Sequence, residues 1–366
     1  MNLLPFGKLS PAKPRTFVPK SINLGDWPKI APLFDQLESR AAHAKSAAEL
    51  DRWLLDWSEL NAALDEEASR RYIAMTCHTD NAEAEKAYLH FVEHVEPQVK
   101  PRQFALEKTY VAHPSRAELL KAGAPVSDPA SSKKAKTKAP GRRPALHPRY
   151  EVFDRDVKNH VALFRPENVA LETEEAKLCQ QYQKLIGAQT VKFRGEEKTL
   201  VQMGRYLEEP DRALRQEAWE LVAQRRLQDA EKCDEIFDEL IKLRAKIAKN
   251  AGFKNYRDYA FRQKCRFDYT PADCLKFHKA IETVIVPAVK KIQAERRKQL
   301  TLDKLRPWDL AVDPHNRAPL KPFVKVDEMV SRTQKIFSRL DKELSAGFKQ
   351  MDDLKLLDLD NRKGKA

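Results

Sequence analysis

Residues 46–60 read Ser46-Ala47-Ala48-Glu49-Leu50-Asp51-Arg52-Trp53-Leu54-Leu55-Asp56-Trp57-Ser58-Glu59-Leu60. A serine followed three residues later by a glutamate is a helix-start pattern. The hydroxyl takes the amide three residues on, and the glutamate reaches back. Behind it Leu50, Trp53, Leu54, Trp57, Leu60, Leu64 and Ile73 recur at steps of three and four. That spacing predicts one apolar stripe along a long helix.

The rest of the chain has the same character. Its 366 residues are 42% hydrophobic, enough for a large core, and 33% charged with only 10 glycines. Long stretches of Ala, Leu, Glu, Lys and Arg favour helix over sheet, so the expected class is mainly α, a long-helix, multi-lobed fold. The five cysteines, Cys77, Cys179, Cys233, Cys265 and Cys274, are odd in number and form no Cys-x-x-Cys pair. They read as reduced thiols, which predicts a cytoplasmic protein. The first twenty residues are broken by Pro5, Pro11, Pro14 and Pro19 and carry no secretory signal. No apolar run reaches the length needed to span a bilayer.

Five segments follow from the punctuation. Residues 1–26 read as extended. Residues 27–113 form a first helical lobe, with a break at Thr79-Asp80-Asn81, acidic residues Glu83 and Glu85 opening the next helix, and Pro97 and Pro101 expected to kink or interrupt it. Residues 114–148 are a Pro/Lys-rich basic linker or insert with no apolar period. Residues 149–304 form a second helical lobe whose pattern resumes near Leu171. Thr199-Leu200-Val201-Gln202 is a second capping box. Trp219, Val222, Ala230, Cys233, Phe237, Leu240 and Ile247 make a long stripe, stopped at Asn250-Ala251-Gly252. Thr270-Pro271-Ala272-Asp273 restarts a helix with Leu275, Ile281, Ile285, Val289 and Ile292 as its buried face and a kink at Pro287. In residues 305–366, Trp308-Asp309-Leu310-Ala311-Val312 reads as a short strand, and a last helix runs from about Asp327 to Leu340.

The formal net charge of +13 is uneven: Lys133, Lys134, Lys136, Lys138, Arg142 and Arg143 supply six positive charges in one short segment. Nucleic-acid binding calls for a basic face on a folded element with aromatics for stacking, and no aromatic lies between Tyr110 and Tyr150. A solvated linker is the better reading, so nucleic acid is disfavoured as a partner.

Several strings carry a resemblance. They are Arg71-Tyr72-Ile73-Ala74-Met75-Thr76-Cys77, Met203-Gly204-Arg205-Tyr206-Leu207, Ala251-Gly252-Phe253-Lys254-Asn255-Tyr256-Arg257-Asp258-Tyr259, Arg306-Pro307-Trp308-Asp309-Leu310 and Asn361-Arg362-Lys363-Gly364-Lys365-Ala366. In this order they resemble the oligoendopeptidase F family of thimet-type zinc metallopeptidases, across most of the chain from about residue 20. The 114–148 insert does not share the likeness. The resemblance implies a mostly α-helical protein in which an N-terminal helical lobe and a catalytic lobe enclose a channel for short peptides. It also implies zinc held by His-Glu-x-x-His on a helix with a further Glu. Two histidines four apart share one helix face, and the Glu between them acts as base on metal-bound water.

None of the nine histidines (His43, His78, His90, His94, His113, His147, His160, His278 and His315) begins that motif. Hence no catalytic, cofactor-binding or metal residue is assigned. The resemblance implies zinc in the full-length family member and none bound to this chain, which is expected to be the N-terminal lobe plus the start of the catalytic lobe. That expectation makes the chain inactive alone. Trp308 and Arg362–Ala366 would lie near the channel. A self-contained helical interaction protein, binding nucleic acid or an acidic partner through the basic linker, is the alternative. Oligomeric state is not fixed by the sequence.

One string competes. His90-Phe91-Val92-Glu93-His94 matches the inverted zincin pattern His-x-x-Glu-His. Two ligands without a closed set bind zinc poorly, so helix-surface histidines are the preferred reading. The acidic pairs Glu174-Glu175, Glu208-Glu209 and Asp352-Asp353 read as solvated faces or caps. Gly195 and Gly204 fit no phosphate-binding pattern.

Overall fold

In a computed structural model the described residues are 14–41, 43–121 and 150–366. Most of the 114–148 insert, including the basic cluster, lies outside them. The described part is mainly α, with one small sheet.

The helix opened by Ser46 runs Ala47–Cys77. The Ser46 side chain accepts from the Glu49 amide, while Glu49 reaches one residue further back than a capping box requires, to the Lys45 amide at 2.7 Å. Its stripe is buried from Leu50 to Leu64, but Ile73 is exposed. The stripe packs between Trp27–Ala41 and the long helical run Ala82–Ala112 in the largest of three apolar clusters. Trp53 and Trp57 lie at its centre, rings 5.2 Å apart. Each indole satisfies its N–H on a neighbouring element, Trp53 on the Leu37 carbonyl (2.8 Å) and Trp57 on Gln103 (3.0 Å), as buried indoles must. Residues 14–26 form no regular element, yet they are pinned: the Glu59 carboxylate accepts the amides of Thr16, Phe17 and Val18.

Of the expected kinks or interruptions at Pro97, Pro101 and Pro287, none ends its helical run, and the irregularity at Pro97 and Pro287 takes the form of a π turn. A turn of π-helix, Phe91–Val95, precedes Pro97, and the helix continues as Glu96–Ala112 straight through Pro101. A second π turn, Ile281–Ile285, precedes Pro287. In both, the bond that closes the turn skips one residue (Glu96 N to Phe91 O, Val286 N to Ile281 O). The widened turn relieves the clash a proline ring makes with the carbonyl four residues back.

Other expectations need correction. Arg116–Lys121 is a short helix inside the segment read as linker, with Leu119 buried. Helix starts at Glu151, well before Leu171. The 219–247 stripe belongs to two helices, Arg212–Gln228 and Ala230–Asn250, broken at Asp229, and Phe237 is exposed. The expected stop is present, with Gly252 at φ +84°. A two-stranded antiparallel hairpin, Thr190–Phe193 with Glu196–Thr199, is absent from the sequence reading. Its two-residue turn puts Arg194 (φ +53°) and Gly195 (φ +86°) in the left-handed region, the pairing that matches strand twist. Thr199 then caps the next helix in a complete capping box with Gln202, as expected.

The 308–312 segment is not a strand. Pro307–Asp309 is a 3₁₀ turn, because Pro307 fits a first helical position and the Asp309 carboxylate takes the Arg306 amide at 2.9 Å. Nor is the helix Val326–Leu340 the last, since Lys342–Asp353 follows, capped by Asp341. The largest departure is the face of Pro271–Gln299. Leu275, Ile285 and Ile292 are 61%, 51% and 66% exposed, and no residue of this helical run is buried. Among the described residues nothing covers that face.

One polar cluster ties this region to the rest. Asp309, fully buried, takes both arms of Arg212 (3.0 Å each) and one arm of Arg215 (3.1 Å). Arg215, also buried, spends its other donors on the carbonyls of Trp308, Glu209 and Pro210. Arg296 from the exposed helix reaches the Val312 carbonyl at 2.5 Å. The guanidiniums and the Arg306 amide hold the Asp309 carboxyl below the usual carboxylate range against the opposing effect of burial. Removing a buried partner strands the other charge. Asp309→Ala is expected to cost about 3–5 kcal/mol in urea unfolding. Arg212→Gln, at a side chain 41% exposed, is expected to cost about 1 kcal/mol or less.

Candidate functional site

An open cavity of about 940 Å³ lies among the described residues. Several elements and a strap wall it. Tyr182 and Ile186 come from the helix Asn168–Gly187, Thr199 from the end of the hairpin, Leu200 and Val201 from the short helix it caps, Trp219, Val222 and Leu227 from the helix Arg212–Gln228, and Cys233 and Asp234 from the helix Ala230–Asn250. Leu359–Arg362, Lys365 and Ala366 close one side. The lining is mostly apolar, with charges at Arg226, Asp234, Asp360, Arg362 and Lys365. Val201 and Leu227, at 74% and 72% exposed, present bare apolar surface at this site. A concave, mostly apolar site with a few charges suits an extended ligand with side chains to bury.

The strap of residues 358–366 clasps two parts of the fold. On one side the Thr79 amide donates to the Gly364 carbonyl (2.6 Å), the Ala366 amide to Thr76 O (2.9 Å), and Arg362 Nη2 to Cys77 O (2.9 Å). On the other, the Gly364 amide donates to Gly187 O (2.9 Å), Gln202 Nε2 to Asn361 O (3.0 Å), the Thr199 hydroxyl to Asn361 Oδ1, and Lys363 pairs with Glu197 (2.8 Å). The Arg362 guanidinium, with Cys77 and Lys365, holds the Asp358 carboxyl far below the ordinary carboxylate range. Burial and the neighbouring Asp358 push the Cys77 thiol up. Two glycines make the fit possible. A Cβ on Gly187 would meet Thr79 Oγ1 at 2.7 Å, and one on Gly364, at φ +79°, would meet Asp80 Oδ1 at 2.7 Å.

Of the segments singled out in the sequence, Arg362–Ala366 contributes to the cavity wall. Trp308 stands behind it, its ring 5.5 Å from that of Trp219, and its buried Nε1 has no acceptor among the described residues. The wall residues Trp219 and Val222 were read as core stripe. What the sequence did not offer is the strap's set of partners, Thr76, Thr79 and Gly187, far away in the chain.

His90 and His94 are exposed on a different lobe, and Glu93 between them pairs with Lys177 at 3.1 Å. Of the acidic pairs, Glu174 bridges to Lys177, Glu175 to Arg244 and Asp353 to Lys349. Gly195 sits in the hairpin turn and Gly204 at the end of a short helix. Among the described residues no group of three or more His, Cys, Asp or Glu side chains is placed to hold a metal ion. No helix of the described residues is long and apolar enough to cross a membrane.

Because Gly364 is held in a left-handed conformation against Asp80, Gly364→Ala is expected to weaken strap docking by about 1–3 kcal/mol. Limited proteolysis read by mass spectrometry should show faster cleavage between residues 354 and 366, with the main thermal transition little changed. Unchanged protection would show that the strap is held elsewhere.

The chain matches the model of peptidase family M3 over residues 205–341 and that of the peptidase M3 N-terminal domain over residues 21–125. No curated protein matches it. Among solved structures, one described as an oligoendopeptidase F has a TM-score of 0.82 at 25% identity, over 96% of this chain and 57% of that one. PZ peptidase A with inhibitor 2 gives 0.82 at 26%, over 96% and 57%. An oligoendopeptidase F from Bacillus anthracis str. Ames gives 0.81 at 22%, over 97% and 60%. The chain thus spans less than two thirds of the length of these relatives, while nearly all of it superposes on them. With both family models in chain order and this fold, the chain belongs to peptidase family M3, as an oligoendopeptidase F-like member.

Proposed function

We propose that this chain is the front portion of a zinc metallo-oligoendopeptidase that hydrolyses internal bonds of short peptides, and that it contributes the peptide-binding cavity without the zinc centre. The observation that carries the reading is the pairing of a 96% match on this side with a 57% match on the relatives' side, centred on an open, apolar-walled cavity. A peptide laid along the cavity would bury apolar side chains against Trp219, Val222 and Leu227, with Arg226 and Asp234 available to its charges. The bare face of Pro271–Gln299 supports the same reading. Contiguous apolar surface of this kind is usually covered by a partner. The zinc helix implied by the resemblance would belong to the part of the relatives that this chain does not match. Zinc, when bound there, activates water for attack on the peptide carbonyl. The residues of this chain bind and orient the peptide.

A second reading rests on the six basic residues between Lys133 and Arg143. They would attract a nucleic acid or an acidic partner, with an affinity that falls steeply with salt.

The test is a binding and turnover assay on the 366-residue chain with internally quenched peptides and added zinc, together with reading of the coding DNA past the codon for Ala366. Expected are saturable peptide binding reported by tryptophan fluorescence and lost in Trp219→Ala, no zinc-dependent cleavage, and a coding sequence that runs on into a His-Glu-x-x-His helix. Zinc-dependent cleavage by this chain alone would overturn its assignment as the metal-free portion. Absence of peptide binding with a stop codon directly after Ala366 would overturn the peptidase role.

A further inference from the structure

The exposed histidine pair on the N-terminal lobe has a geometry that the zinc-protease comparison does not use. His90 and His94 flank the π turn Phe91–Val95, and their ring centres lie 5.0 Å apart with the planes inclined at 58°. Both side chains are exposed. An imidazole nitrogen binds a first-row transition metal at about 2.1 Å and sits about 1.2 Å from its ring centre, which puts each centre about 3.3 Å from a shared metal. Two such rings are then about 4.7 Å apart for a ligand–metal–ligand angle of 90° and about 5.4 Å for a tetrahedral angle. The observed separation falls between these limits.

We propose that His90 and His94 form a bidentate, solvent-facing chelate for a divalent transition-metal ion, with Cu²⁺ preferred and the remaining positions filled by water. The preference follows from imidazole donors and the general order of divalent affinities, in which copper stands highest. The site is not a closed zinc centre. Glu93, the carboxylate of the string, is engaged by Lys177, which Glu174 also holds at 3.1 Å. Among the described residues no third protein ligand is in place. The pair shares no residue with the cavity. The second imidazole binds as an intramolecular ligand, so its effective concentration supplies most of the affinity over a single histidine.

The experiment is a CuCl₂ titration of the full chain by calorimetry, with electron paramagnetic resonance of the copper-loaded protein. His90→Ala and His94→Ala are the test variants and His315→Ala the control. Expected is one Cu²⁺ with nitrogen hyperfine structure from two imidazoles, weakened about tenfold or more in each test variant and unchanged in the control. Both test positions are exposed, so the thermal transition should be retained. His90→Gln and His94→Gln serve if an alanine variant is not folded. No Cu²⁺ binding by the unmodified chain, or binding that survives undiminished in both test variants, would overturn the chelate.

Discussion

A carboxylate shut away from water must be neutralised where it sits, and in this protein that carboxylate is Asp309. Its two oxygens accept from Arg212, Arg215 and the Arg306 amide. Beyond residue 270 the chain buries only Trp308, Asp309, Val312 and Gly364. The C-terminal quarter therefore hangs from the body by polar ties rather than by a core. Arginine suits the task, since its fork satisfies a carboxylate with two parallel bonds and its remaining donors can collect backbone carbonyls. Arg212 forks onto Asp309, while Arg215 adds one bond to it and collects the carbonyls, which fixes the Trp308 turn and sets that indole against Trp219 in the cavity wall.

The cavity is thus assembled from parts that have little to do with one another in sequence. The end of the hairpin and the short helix after it, three long helices and the strap each supply part of its wall. The strap holds by backbone hydrogen bonds to Thr76, Thr79 and Gly187, which make few demands on side chains beyond two glycines. This division separates a packed base, centred on Trp53 and Trp57, from an open surface around the cavity.

Legibility in the sequence followed how local the determinants were. The Ser46 and Thr199 starts and the Gly252 stop were readable, because capping is decided within four residues. The family was readable from strings in order. The hairpin was not, since Phe193-Arg194-Gly195-Glu196 lacks the Asn-Gly or Asp-Gly that marks such turns and its strands have four residues each. The 308–312 strand failed because Asp309 is claimed by Arg212 and Arg215, nearly a hundred residues away. The stripe of Leu275, Ile285, Val289 and Ile292 was correct as a pattern and misread as burial: periodicity reports that a face wants a partner, and the partner need not be in the same hundred residues. The cavity was legible only as the expectation that Trp308 and Arg362–Ala366 lie near it.

Each π turn holds one residue more than the α-helix it interrupts. One residue is a rotation of about 100° around the axis, so the stripes before and after Ile281–Ile285 are out of phase by that amount. The same helix can thereby offer one edge to a neighbour before the turn and a different edge after it. In the evolution of such a chain, a single-codon insertion or deletion at Phe91–Val95 or Ile281–Ile285 would re-aim everything downstream by a quarter turn or so while leaving the helix intact. These two positions are therefore where homologous chains can differ in length by one without a loop to absorb it.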